Sequence, residues 1–492
     1  MVILIKVLQF FLSLSILIFV HELGHFLAAK AFKTRVEKFY LFFDWGFSLF
    51  RCKKVNGEWR FKFFSKNEPE KYITTTYRDA AGKKQTKYDP IDLNTLPEDD
   101  WRRSDCTEYG IGWFPLGGYN KIAGMVDESM DKSQMQQPPQ PWEFRSKPAW
   151  QRFIIMIGGV TMNVLLAFVI YIGLLTKEGE QYLPTSEVNK YGISVDSMAY
   201  EFGFRDGDKI LAVDGQYIER FNDVAMQIIL EKAKTVEVER NGKDTVITLP
   251  EDAVTRLLGK QDANFITYRT PFIVDKVVEN SAAEAGGLQT GDVIIGINEI
   301  ETPYYQDFVK NIKRFKNQDI EVKVLRDADT LALAMHLSDE GVIGAYARMY
   351  LPDYFEIETK DYSFLEAIPA GFKKTGKELS DYWKQVKLIF SPKTKAYENV
   401  GGFISIGKIF PETWIWSLFW RMTAFLSIAL AVMNILPIPA LDGGHILFLL
   451  FEIITRRKPS DKFMEVAETV GLVLVFALVI LANGNDIIRL FR

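Results

Sequence analysis

His21-Glu22-Leu23-Gly24-His25 closes the apolar run of residues 2–20. Two histidines four positions apart share one face of a helix, one turn from each other, where a zinc ion can take both imidazoles. The carboxylate between them can remove a proton from a water that the metal activates. In a segment of membrane length, this arrangement points to zinc-dependent peptide hydrolysis inside the bilayer. The chain has four histidines: His21, His25, His336 and His445. All but His336 lie in apolar stretches, where ionisable side chains are rare and usually functional. His336 falls in a strand pattern and reads as structural.

A catalytic zinc takes three protein ligands and leaves one position open. Carboxylates that could supply the third are few, since each costs roughly 2.5–3.5 kcal/mol at mid-bilayer. Asp442 in Leu441-Asp442-Gly443-Gly444-His445 is the leading candidate. It follows a proline-broken stretch whose backbone can line a cavity. His445 is its rival, and spacing does not separate the two; a supporting role for His445 is the plainer reading. Glu452, near Arg456, reads as a carboxylate that reaches the interface.

Four apolar segments must position these residues: 2–29, 153–175, 414–454 and 466–482. The third is too long for one straight span and contains Asn434-Ile435-Leu436-Pro437-Ile438-Pro439, which cannot continue a helix. It reads as one interrupted span, with two spans as the alternative. Basic residues set the orientation. Lys30, Lys33, Arg35 and Lys38 follow the first span. Arg145, Lys147 and Arg152 precede the second, and Arg456, Arg457, Lys458 and Lys462 separate the last two. All three clusters agree if these loops are cytoplasmic. Residues 176–411 and both termini then face outward, with Lys6 snorkelling to the interface.

The remainder is soluble in character. At 492 residues with a net charge of -4, the chain exceeds one domain and has no basic field for nucleic acid. Two cysteines, Cys52 and Cys106, cannot form a disulfide framework and read as free thiols. Residues 203–215 and 287–298 repeat one pattern: a Gly-Asp turn, a strand and a second turn. These units, expected at 177–255 and 256–345, resemble PDZ domains, which bind peptide by adding a strand to a sheet edge. Inert β-rich spacers are the alternative. Residues 363–390, within a connecting region at 346–412, have helical apolar spacing with interleaved lysines. They read as an amphipathic helix near the outer membrane surface or packed on the repeats. In the first loop, 31–150, a charged insertion spans about 56–104. A membrane-associated β-hairpin follows at about 105–125, including Gly117 and Gly118, and 130–141 reads as linker. The hairpin edge could hold an unfolded substrate strand.

Three motifs carry a resemblance: HELGH; Gly158-Gly159-Val160-Thr161-Met162-Asn163; and the run from Asn434 through Pro437, Pro439 and Asp442 to Gly444. Together they resemble the site-2 protease family. The tandem repeats, Phe114-Pro115-Leu116-Gly117-Gly118-Tyr119 and Gly401-Gly402-Phe403-Ile404-Ser405-Ile406 resemble its bacterial regulator-of-sigma-E type. The resemblance implies a multi-domain membrane protein: an α-helical core of about four spans (1–30, 151–176, an interrupted 413–456, and 464–484), a cytoplasmic β-hairpin region and two periplasmic PDZ-like α+β domains. It implies zinc held by His21, His25 and Asp442, with Glu22 as general base. Asn434 would hold substrate backbone beside the break at Pro437 and Pro439, and Asn163 would be an auxiliary. It further implies a bacterial inner-membrane protease with its site toward the cytoplasm, surrounded by lipid. Its substrates would be pre-shortened single-span proteins, of the anti-sigma-factor type and signal-peptide remnants. Two other classes compete. A non-catalytic PDZ scaffold would keep zinc for structure, and a transporter would spread its ionisable residues along a path.

Overall fold

The computed structural model describes residues 2–67, 72–78, 84–98, 100–125, 138–259, 265–394 and 396–491. Most of the expected linker at 130–141, and parts of the charged insertion, lie outside the described residues. The chain forms two compact units: Met1–Glu178 with Tyr362–Val386 and Val400–Arg492, and Gly179–Asp361 with Lys387–Asn399.

The first unit is built on long helices: α1 (Val2–Ala31), α2 (Ala149–Glu178), α3 (Phe364–Ile389), α4 (Trp416–Ile435), α5 (Asp442–Thr455) and α6 (Asp461–Leu490). Segments within α1, α2, α4 and α6 are long and apolar enough to cross a membrane. The break between α4 and α5 falls at the two prolines. Neither offers a backbone N–H, and each disfavours helix in the residue before it. Ala440 has φ +80°, which turns the chain into α5.

Backbone contact and buried polar groups hold these helices in register. A Cβ on Gly158 would stand 2.7 Å from the Gly24 carbonyl oxygen, so α1 and α2 touch backbone to backbone. Ala167, Ile170 and Tyr171 of α2 pack on Ala424, Ile428 and Val432 of α4. Thr423 donates to Ser13 at 3.0 Å, and Ser427 donates to the Asn163 backbone carbonyl at 2.8 Å. In apolar surroundings such bonds fix rotation as well as contact.

Three of these readings gain partners in the structure. The apolar face of α3 packs on the other apolar helices: Phe372 meets Phe168 of α2 at 4.0 Å, and Leu379, Tyr382 and Val386 join the core between α2 and α4. Glu452 pairs with Arg152 of α2 and so ties α5 to α2; sequence proximity to Arg456 concealed that partner. Lys6 pairs with Glu412 at 3.3 Å. The Gly401–Ile406 motif docks on α6, where Asn483 accepts from the Phe403 N–H and Asp486 from the Ser405 N–H, at 3.3 and 2.9 Å.

The first loop forms a sheet ordered β2-β1-β5, from β1 (Val36–Val55), β2 (Glu58–Lys66) and β5 (Glu108–Ile122); β3 (Tyr72–Arg78) and β4 (Lys84–Pro90) pair separately. The expected hairpin at 105–125 has no pairing between its own arms. Tyr40 of β1 lies beside both Tyr119 and Gly110, so the two arms flank one β1 segment. Phe42 (φ +71°) and Gly46 (φ +80°) bend β1, which returns to pair Cys52 with Tyr109. Turn residues advertise a bend, but strand partners three segments away are invisible to local pattern. Both cysteines are free.

In the second unit, the two sequence repeats carry the same buried fork. Arg240 donates to both Asp208 oxygens at 2.7 Å and to the Gly203 carbonyl; Arg326 does the same to Asp292 and Gly287. The first core runs past the expected boundary at 255 and takes in Leu257, Phe265, Ile266, Tyr354 and Phe355. The second has its own core around Phe272, Ile294, Phe308 and Val322.

Burial raises the Asp292 carboxyl, but the Arg326 fork and the Gln289 N–H more than reverse this and hold it below its usual range. A depressed carboxylate adds stability that is complete above the unfolded value of about 3.9 and is lost as pH falls below it. Removing the guanidinium leaves the buried Asp292 carboxylate without its charged partner, which destabilises the fold. Arg326→Met should therefore lower the unfolding midpoint of this unit at pH 7, and Asp292→Asn should flatten its fall in acid. Calorimetry of the full chain checks both; an unchanged midpoint in Arg326→Met would refute the assignment.

Candidate metal centre

The three candidate ligands meet. His21 and His25 of α1 and Asp442, the first residue of α5, form a group whose ligand atoms all lie within 4.8 Å of one another. The edges of the triangle are nearly equal. Asp442 Oδ2 stands 3.2 Å from His21 Nε2 and 3.3 Å from His25 Nε2, and the two Nε2 atoms are 3.3 Å apart. Ligand atoms about 2.0–2.1 Å from a tetrahedral zinc stand roughly 3.3–3.4 Å from each other. The triangle therefore has the size of one face of such a site.

Hydrogen bonding supports the fit. His25 Nδ1 lies 2.9 Å from the Ile155 carbonyl oxygen. A carbonyl only accepts, so that nitrogen carries a proton, and in the neutral ring Nε2 presents a lone pair. It presents it to Asp442 Oδ2, a buried oxygen with no hydrogen-bond partner among the described residues. Acceptors aimed at one point repel unless a cation lies between them. His445 is not in this group among the described residues, and Asp442 is.

The motif glycines explain the close approach. A Cβ on Gly159 would come within 2.8 Å of His21 Nε2 and would also strike the His25 ring. Gly158 admits α1 and Gly159 leaves room for both imidazoles. On the opposite side, a Cβ on Gly444 would stand 2.6 Å from Pro439 Cα, and one on Gly443 would strike the Leu436 carbonyl. The Asp-Gly-Gly sequence thus lets α5 start folded back on the break, which carries Asp442 to the histidines.

The other candidates lie as follows. Glu22 is half-buried beside His21. Asn434, at the end of α4, has its Nδ2 3.4 Å from His21 Nε2. Asn163 is fully buried, with Nδ2 3.1 Å from His21 Nδ1. Pro437 is exposed and Pro439 half-buried in the break. Gly118 packs β5 on α1, where a Cβ would meet Ile18 Cγ2 at 2.7 Å, and Gly117 lies against the Phe43 ring. Two contacts escaped sequence reasoning. The Ile155 carbonyl orients His25, and the Asn120 amide lies 3.5 Å from the Glu22 carbonyl oxygen. A backbone acceptor leaves no trace in residue type.

The profile of Peptidase family M50 matches residues 9–66 and 100–478. Its unmatched interval falls within the charged insertion. The chain is 28% identical to the regulator of sigma E protease of Haemophilus influenzae, over 79% of this chain and 89% of that protein. A protein of Vibrio cholerae, 27% identical over 98% of both chains, carries a zinc metalloprotease name. So does one of Xylella fastidiosa, 28% identical over 79% of this chain and 88% of that protein. With a ligand triangle of zinc dimensions on an HExxH helix, the chain belongs to Peptidase family M50, the site-2 proteases, and is a zinc-dependent metalloprotease.

Proposed function

We propose that this protease cuts peptide bonds in or beside the transmembrane segment of single-span proteins already shortened by another protease. Anti-sigma-factor-type proteins and signal-peptide remnants are the substrate classes. The observation that carries this reading is the cluster's address. Its histidines belong to a helix long and apolar enough to cross a membrane, and its carboxylate follows the break after a second such helix. Polar groups at that depth are costly and are kept for function. The name of the Haemophilus influenzae relative supports the substrate class.

The basic clusters around residues 30–38, 145–152 and 456–462 support an inner-membrane topology with the site toward the cytoplasm and the repeats outside. Those repeats, each with a sheet and a helix over its own core, act as PDZ-like domains. They bind the trimmed end of a substrate or exclude large ectodomains.

His21, His25 and Asp442 would hold the zinc, which when bound would supply a Lewis acid for the scissile carbonyl and for water. Glu22 accepts a proton from the attacking water and returns it to the leaving amine, so one water and one peptide bond become a carboxylate and an ammonium group. The Asn434 amide donates to a substrate carbonyl and accepts from its N–H, holding an unwound stretch beside Pro437 and Pro439. The β5 edge near Gly117 and Gly118 receives the same stretch as an added strand.

The test uses one single-span reporter in two forms, with its outer domain intact or trimmed to a short tail, in vesicles with the full-length enzyme. The trimmed form is expected to be cut within or next to its span, and the intact form at least about tenfold more slowly. Cuts confined to the reporter's soluble parts, or equal rates for both forms, would overturn this reading.

A further inference from the structure

We propose that Asn163 is a positioning residue that selects the metal-binding tautomer of His21. An imidazole that ligates through Nε2 must carry its proton on Nδ1, and the partner of Nδ1 decides whether it does. The two histidines differ here. His25 has a backbone carbonyl, that of Ile155, at 2.9 Å, which admits one tautomer only. His21 has the side-chain amide of Asn163, 3.1 Å from its Nδ1.

An amide can meet the ring with either end. With Nδ2 toward Nδ1, it suits the tautomer whose proton is on Nε2, the atom aimed at Asp442 Oδ2. With Oδ1 toward Nδ1, it accepts the ring proton and frees Nε2 for a metal. Asn163 is fully buried, and its Oδ1 has no hydrogen-bond partner among the described residues. A half-turn of the amide satisfies that oxygen and completes the ligand together. An acceptor thus sits behind each histidine, backbone for one and side chain for the other.

The placement follows from helix packing. Gly159, four residues before Asn163 on α2, faces both imidazoles, so one further turn brings Asn163 to the back of the His21 ring. Ser427 of α4 holds the same turn through the Asn163 backbone carbonyl, at 2.8 Å. That bond does not involve the amide, so a side-chain substitution leaves the anchor between α2 and α4 in place.

The inference rests on zinc binding by His21, His25 and Asp442; a wild-type chain that bound no zinc would fail that reading and not this one. The experiment measures the zinc dissociation constant of the full-length protein in detergent, by competition with a chromophoric chelator. Asn163→Leu keeps the size and removes the acceptor. Asn163→Asp keeps the acceptor and loses the donor. Ser427→Ala removes the backbone anchor alone. Outer-shell partners of metal histidines are worth about 10–100-fold in affinity. The expected result is a 10–100-fold weaker constant for Asn163→Leu, with Asn163→Asp and Ser427→Ala within about threefold of wild type.

Wild-type affinity in Asn163→Leu overturns the proposal, as does an equal loss in Asn163→Asp. Should Asn163→Leu fail to fold, Asn163→Ala takes its place against Asn163→Asp with the same expectations. Nitrogen-15 spectra of histidine-labelled protein add a second readout: zinc-loaded wild type and Asn163→Asp should both show His21 protonated at Nδ1. A proton on Nε2 there would also overturn it.

Discussion

Replacing Glu22 with Gln is expected to slow peptide-bond hydrolysis by about 10²–10⁴-fold, the usual contribution of a positioned general base, while zinc content stays at the wild-type level. Glutamine keeps the size of the side chain and its place beside His21, but it cannot accept a proton at neutral pH. Glu22 is not among the three residues whose ligand atoms converge, so nothing that holds the metal is removed. The measurement pairs cleavage of the trimmed reporter with zinc analysis of the same preparation. Full cutting by this variant would remove Glu22 from the reaction and revive the scaffold reading, in which zinc serves structure alone. Loss of zinc together with activity would show that Glu22 supports the site itself.

Asp442→Asn is expected to fail earlier, at metal binding. The substitution preserves shape at the start of α5 but removes the negative charge and the oxygen that closes the triangle with the two Nε2 atoms. Zinc affinity should fall by at least about 100-fold, more than an outer-shell partner is worth, and hydrolysis should fall with it. Saturating zinc should restore part of the activity of Asp442→Asn and none of that of Glu22→Gln, and this contrast separates a ligand from a base. Metal analysis after dialysis against a chelator checks the first claim, and zinc titration of the cleavage rate checks the second. Retained zinc in Asp442→Asn would pass the third position to another group, with His445 first in line.

Residue types and spacing alone made the chemistry legible. An i,i+4 histidine pair with an adjacent glutamate needs only helical geometry to set two imidazoles on one face, and the apolar run of residues 2–20 favours a helix of membrane length. The two prolines at 437 and 439 marked a break between α4 and α5, because both lack a backbone N–H and each disfavours helix in the residue before it. The repeated Gly-Asp turns marked two like units, since the same local pattern recurs with the same offsets, but the Asp–Arg fork in each was not legible there. These are properties of segments, decided within a few residues.

Only the tertiary structure brought Asp442 to the two histidines, because that meeting depends on how α5 folds back over Gly443 and Gly444 onto a helix some 420 residues earlier in the chain. It likewise gave Glu452 to Arg152, set the two arms of β5 around one strand, and put the Ile155 carbonyl behind His25. Each of these is a meeting of distant groups. Its free energy lies in burial and in satisfied polar atoms, which no local pattern encodes.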